Sequence, residues 1–351
     1  MAVTNQDVLA ALGRVKDPDL NRDLVTLGMI EDLAVPDGKV SFTLVLTTAA
    51  CPLREQLETD CRNAVRAVPG VREVEIKTIS RMRKPSNPMA DRKTIEGVAN
   101  VLAIGSGKGG VGKSTVAANL AAALAVTGAQ VGLLDGDIYG PNLPRMLGAH
   151  RQPSQRDGKI LPVEAWGMRF MSMGLLVSEG EAVVWRGPML HGAIKSFLHD
   201  VDWGELDYLL VDLPPGTGDV QLSLIQQTFV AGAVVVTTPS TVAVEDAVKA
   251  VSMFGKLQVP VLGVIENMSY FECPNCGTRH DIFATGAGEQ RALAMGLPFL
   301  GAIPLHPNVR AAGDGGRPVV LAEPDSPYGR AFTRIAGHLA QRVSIQTIGT
   351  S

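Results

Sequence analysis

GKGGVGKS, residues 107–114, satisfies the pattern G-x-x-x-x-G-K-[ST]. The apolar run VANVLAI (98–104) precedes it and an alanine-rich run follows. The pattern therefore lies between a strand and a helix, the setting a phosphate-cradling loop requires. Gly107, Gly109, Gly110 and Gly112 allow positive φ and let backbone N–H groups come close to an anion. The helix opening near Lys113 turns its N-terminus toward that anion. Lys113 is placed to neutralise the β and γ phosphates and the Ser114 hydroxyl to ligate Mg²⁺, with Thr115 alongside.

Downstream of this loop, VGLLD (131–135), YLLVDL (208–213), AVVVTTP (233–239), VLGVIEN (261–267) and FLGAIP (299–304) alternate with helical stretches. Strands apolar on both faces and separated by helices predict a parallel sheet covered on both sides. Two of them end in carboxylates. LLDGDIYGPN (133–142) supplies Asp135 and Asp137, and YLLVDLPPGTGD (208–219) supplies Asp212. Asp137 is expected to orient an attacking water, Asp135 to support the Mg²⁺ shell, and Asp212 to hold Mg²⁺ through water. Pro214–Gly216 forms a turn suited to sensing a γ-phosphate. The N-K-x-D guanine signature is absent, whereas Asn267 is offered to an adenine edge and the backbone near Pro304 to closing the pocket. ATP is favoured over GTP.

Upstream, residues 1–80 read as a small α/β domain. Thr4 caps a helix running to about Val15, and strands follow at 29–35 and 39–47, joined by Pro36–Asp37–Gly38. Val40, Phe42, Leu44 and Leu46 share one face of the second strand. Pro52 opens a helix to about Val68, and 71–79 alternates as a strand. Residues 81–96, beginning RMRKPSNP, are basic and aperiodic and read as a linker to a domain spanning 97–345. Among the 351 residues, 32 basic and 35 acidic side chains give a net charge of −3, which argues against nucleic acid as the main partner. The N-terminus shows no secretory pattern, and the long uncharged stretches are broken by Asn, Gln, Gly and Pro. The expectation is a cytoplasmic protein that does not span a membrane.

Four cysteines do not make a disulfide framework in such a chain. Cys273-Pro-Asn-Cys276 offers two thiolates, whereas a closed zinc site or a four-iron cluster needs about four ligands. His280 makes at most a third, and the chain has no second C-x-x-C. Two copies meeting on a two-fold axis would complete the set. Spacing alone leaves zinc, an iron–sulfur cluster and a redox dithiol open. Cys51, expected at the N-cap of the helix opened by Pro52, would have its pKa lowered by the helix dipole. Cys61 shares a helical face with Leu53, Leu57 and Val65 and is expected in a core. His191, His199 and His306 have no metal-ligand spacing and read as structural.

GKGGVGKST, DGDIYGPNLPRMLG, WRGPM (185–189), DLPPGTGD, ENMSYFECPNCG and IPLHP occur in this order. Together they resemble the Mrp/ApbC iron–sulfur cluster carrier ATPases, relatives of MinD with a deviant Walker A loop of the SIMIBI class. The first 80 residues resemble the small iron–sulfur-assembly domain often fused to them, through Asp17-Pro18-Asp19 and Thr47 to Pro52. The resemblance implies a P-loop NTPase homodimer in which Lys108 reaches the partner's nucleotide. It implies nucleotide contacts from Gly107, Lys108, Gly109, Gly110, Val111, Gly112, Lys113, Ser114, Thr115 and Asn267, with Lys108, Lys113, Asp137 and Asp212 catalytic. It also implies a labile [4Fe–4S] cluster on Cys273 and Cys276, passed to apoproteins with the help of assembly factors. A MinD/ParA-like positioning ATPase with structural zinc is the rival. That class calls for a basic amphipathic tail, which residues 328–351 lack.

Overall fold

The computed structural model describes residues 3–82, 92–137, 140–176, 187–273, 275–283 and 286–349. Most of the expected linker, and Trp185 with Arg186, lie outside them. The chain forms two compact units, Met1–Lys84 with Ala340–Ser351, and Pro85–Leu339.

In the small unit, helix α1 (Asn5–Leu12) opens on a capping box, with Thr4 and Asp7 bonding each other's backbone N–H. Strands β1 (Ile30–Ala34), β2 (Lys39–Leu46) and β3 (Glu73–Ser80) form one sheet in that order, β1–β2 antiparallel and β2–β3 parallel. Val40, Phe42, Leu44 and Leu46 are all buried, as their period of two predicts. Helix α2 (Arg54–Arg66) adds Leu57, Cys61 and Val65 to the same core. It starts later than Pro52: its N-cap is Leu53, and Cys51 precedes the first turn.

The large unit is built on strands apolar along nearly their whole length. β4 (Val98–Ser106) leads through the loop to α3 (Lys113–Val126) and β5 (Val131–Asp135). α4 (Leu143–Met146) and a hairpin of β6 (Ser154–Arg156) and β7 (Lys159–Leu161) come next, then β8 (Val163–Ala165), β9 (Met168–Ser172) and α5 (Gly187–His199). β10 (Leu206–Asp212), α6 (Asp219–Gln227), β11 (Gly232–Thr237), α7 (Thr241–Lys256) and β12 (Val261–Glu266) continue the alternation. A two-stranded excursion, β13 (Phe271–Glu272) with β14 (Arg279–His280), precedes α8 (Ala287–Ala294) and β15 (Phe299–Ala302). Helices α9 (Pro307–Asp314), α10 (Val319–Ala322) and α11 (Pro327–Gly349) close the chain. The last turns of α11, from Ala340 on, belong to the small unit: Ile348 joins its core, Gln341 donates to Asp19, and the Ser344 hydroxyl donates to Thr47.

Among the described residues the sheet order is β15-β12-β11-β4-β10-β5-β9-β8, parallel throughout except for the edge pair β8–β9. α3 is apolar on all sides, with Val116 to Leu124 buried, so it packs as an interior helix. Residues 92–95, expected in the linker, pack on this unit instead. The Arg92 guanidinium donates to the Leu257 carbonyl (2.8 Å), and Ile95 is in the core. The parallel arrangement gathers the C-terminal ends of β4, β5, β10 and β12 on one edge of the sheet, where such folds bind ligands.

Candidate nucleotide and cysteine site

The loop after β4 is shaped by close approaches that only glycine permits. A Cβ on Gly107 would lie 2.1 Å from the backbone of Asp246. Gly112 has φ +79°, and a Cβ there would lie 2.2 Å from Asn267 Nδ2. The loop lines a cavity of about 210 Å³ with Lys108, Ser114, Thr115, Asp137 and Pro215. It adjoins a second cavity of about 310 Å³, walled by Asn267, Pro304, His306, Val309 and Arg310. Gly112, Thr115 and Met146 line both cavities, so a phosphate chain and a base can occupy contiguous space.

Lys113 is buried, and its ammonium donates to Asp212 Oδ1 at 2.6 Å and to Ser114 Oγ at 3.2 Å. Asp212 stands opposite Asp135 in the neighbouring strand. Burial, and then the charge of Asp212, push the Asp135 carboxyl up to about 8. Ser172 Oγ and the Asp137 N–H donate to it at 3.0 and 3.1 Å. Burial also pushes Asp212 up, with Lys113 pulling the other way. Asp212 Oδ2 is buried without a hydrogen-bond partner. An orphaned carboxylate oxygen beside the Ser114 hydroxyl is a donor set that fits a hydrated Mg²⁺.

The cysteine pair projects on the β13–β14 hairpin. The Cys273 N–H donates to Thr278 O (3.0 Å), and the Gly277 N–H donates to Cys273 O (2.8 Å). Cys273 is half-buried and Cys276 exposed. Cys276 Sγ lies 3.1 Å from Thr278 Oγ1, and hydrogen bonds from the Thr278 side chain and backbone hold its thiol below the ordinary value. Among the described residues no three His, Cys, Asp or Glu side chains group as a metal site.

The family described as NUBPL iron-transfer P-loop NTPase matches residues 97–340, more than half of the chain. The chain belongs to the iron-transfer P-loop NTPase family. A second family, described as iron-sulfur cluster assembly protein, matches residues 5–77 of this P-loop NTPase. The iron-sulfur cluster carrier protein of Deinococcus radiodurans is 52% identical, over 98% of this chain and 97% of its own. That of Synechocystis is 49% identical, over 99% of both. A nucleotide-binding protein of Archaeoglobus fulgidus, solved in complex with ADP and with cobalt, superposes with a TM-score of 0.58 at 38% identity, covering 68% of this chain and 93% of its own.

In this P-loop NTPase the structure brings Gly107 to Thr115, Asp137, Asp212 and Asn267 to one edge of the sheet. Asn267 walls the second cavity, where the sequence offered it to a base, and its amide also donates to the Val111 carbonyl at 2.9 Å, bracing the loop. Cys51 reverses its expectation. It is not the N-cap of α2, and burial, with lesser contributions from Asp17 and Asp19, raises its thiol. Cys61 is buried and pushed up to about 12. His306 is structural in part: its Nδ1 accepts from the Asn308 N–H (3.2 Å) and caps α9, while its ring stacks on Tyr328. It also lines the second cavity, as do Met146 and Arg310, and none of the three was placed there from sequence. The only local signal was the H-P opening of α9.

Proposed function

We propose that this protein is an ATP-dependent carrier of a labile [4Fe–4S] cluster. The cluster is cargo, held on Cys273 and Cys276 from each of two copies and passed to apoproteins. The observation that carries this reading is the pairing, within one unit, of a complete phosphate loop with a projecting two-thiolate hairpin. Two thiolates are half of what a four-iron cluster takes, so a two-fold dimer is the simplest completion. The similarity to the iron-sulfur cluster carrier proteins of Deinococcus radiodurans and Synechocystis supports the cargo. Among the described residues no helix is long and apolar enough to cross a membrane. We place the protein in the cytoplasm, with assembly factors and client apoproteins as partners and nucleic acid as none.

The chain's own residues allow a simple cycle. Without nucleotide, the Lys113 ammonium neutralises Asp212. When the β and γ phosphates of ATP enter, Lys113 would turn to them and leave Asp212 unpaired, and Asp212 and Ser114 are the residues that would hold a hydrated Mg²⁺. Mg²⁺ would supply charge neutralisation at the phosphates. Asp137 lines the phosphate cavity, within which it would orient the attacking water, and Lys108 would act on the partner's nucleotide. The test is iron and acid-labile sulfide analysis of the anaerobically reconstituted protein. About four of each per dimer are expected, with none in Cys273→Ala/Cys276→Ala, and with Lys113→Ala keeping the cluster but failing to deliver it. One tightly held zinc without sulfide would replace the carrier reading with a structural staple.

A further inference from the structure

Glu266, at the end of β12, lines neither cavity of the nucleotide site, yet its side chain is fully buried. Its carboxylate accepts from the Ser269 hydroxyl at 2.6 Å, the Gly286 N–H at 3.0 Å and the Gly288 N–H at 2.6 Å. Ser269 and Gly286 flank the segment that carries Cys273 and Cys276. One carboxylate therefore holds both roots of the cysteine hairpin. The next residue, Asn267, is bonded to Val111 inside the phosphate loop. Each of these two neighbours reaches its target where a glycine makes room. A Cβ on Gly288 would lie 2.9 Å from Glu266 Oε2, just as one on Gly112 would meet Asn267. Backbone bonds tie the same place to the base cavity: Ile303 N–H to Glu266 O (2.9 Å), Ser269 N–H to Ile303 O (2.9 Å), and Leu305 N–H to Tyr270 O (2.7 Å).

A buried acceptor with three donors moves with all of them or strands a polar group. We infer that Glu266 is a positioning residue that transmits the state of the phosphate loop, through Asn267, to the hairpin bearing Cys273 and Cys276. The loop settles on phosphates by reorienting its peptide groups, and Val111 O is one of them. Asn267 follows that carbonyl, and Glu266, sharing its backbone, shifts Ser269 and Gly286 together. The biological meaning of this relay rests on the carrier reading above, but its existence does not.

The experiment uses the metal-free full-length chain and iodoacetamide. Alkylation of Cys273 and Cys276 is followed by peptide mass, with and without Mg²⁺ and a non-hydrolysable ATP analogue. In the parent, nucleotide is expected to change the rate by about fivefold or more, the lower end of ordinary coupling between sites. Glu266→Gln keeps the volume but turns an amide donor toward the donors it must accept. Its nucleotide-dependent ratio is expected to fall to near one, with nucleotide affinity as in the parent. If Glu266→Gln does not fold, Ser269→Ala, which removes one of the three donors to Glu266, is expected to give an intermediate ratio. A parental ratio in the folded variant, or a parental rate indifferent to nucleotide, overturns the inference. Because no metal is present, neither result bears on the cluster, and a zinc result in the cluster analysis leaves the relay standing.

Discussion

Asp135 shows how much a single residue owes to its surroundings. From the sequence it is a strand-end aspartate. In the fold it is 1% exposed and faces Asp212 across a ladder, and its carboxyl is held protonated to about 8. The folded value is raised above the unfolded one, so this group favours folding fully below about 4, the free carboxyl value. That contribution is lost as pH rises through about 8. The nucleotide-free parent is expected to lose stability over this window relative to Asp135→Asn, and to run parallel to it at higher pH. Denaturant titrations at a series of pH values measure this, and equal slopes across the window would show that Asp135 is ionised in the fold. Cys51 teaches the same lesson in reverse. Its expected activation depended on the first turn of α2, but the helix begins at Arg54 and leaves the thiol to burial.

At the scale of elements, the loop and α3 act as one device. Gly112 is the N-cap of α3 in a left-handed conformation, and Asn267 presses against the place a side chain would take. Gly112→Ala incurs strain of about 1–2 kcal/mol from backbone conformation alone, and it displaces the Asn267 brace as well. Folding stability in denaturant titration is expected to fall by at least that amount, and nucleotide affinity measured by calorimetry is expected to fall because the loop loses its Asn267 brace. Undiminished affinity would mean that the loop adapts without its brace. Much of this element was legible, because glycine spacing dictates loop backbone locally and apolar runs dictate buried strands. The Asn267 contact was not legible, because its partner lies 156 positions away in the chain.

At the scale of the molecule, the unexpected feature is the end of the chain. The 97–345 domain read from sequence follows motif order, whereas the folded units divide between Leu339 and Ala340, inside α11. A chain ending at Leu339 is expected to bind nucleotide as before. Its small unit loses Ile348 from the core, a deletion of the kind that costs about 2–5 kcal/mol, together with the Gln341–Asp19 and Ser344–Thr47 bonds. Hydrogen exchange should show protection lost in β1–β3 and kept in β4 and β10. Unchanged protection of β1–β3 would show that the small unit stands without its C-terminal helix.

The amino-acid sequence by itself determined the features that are local in origin. These are the phosphate loop, because glycine spacing sets backbone conformation, the Thr4 cap, the period-two face of β2, the buried parallel strands and the closely spaced pair of thiols. The tertiary structure alone decided the ion pair of Lys113 with Asp212, the protonation of Asp135, the raised thiol of Cys51, the seat of Glu266 beneath the hairpin and the allegiance of the last turns of α11. Each of these depends on burial and on partners distant in the chain, and neither burial nor distance is a property of a residue type.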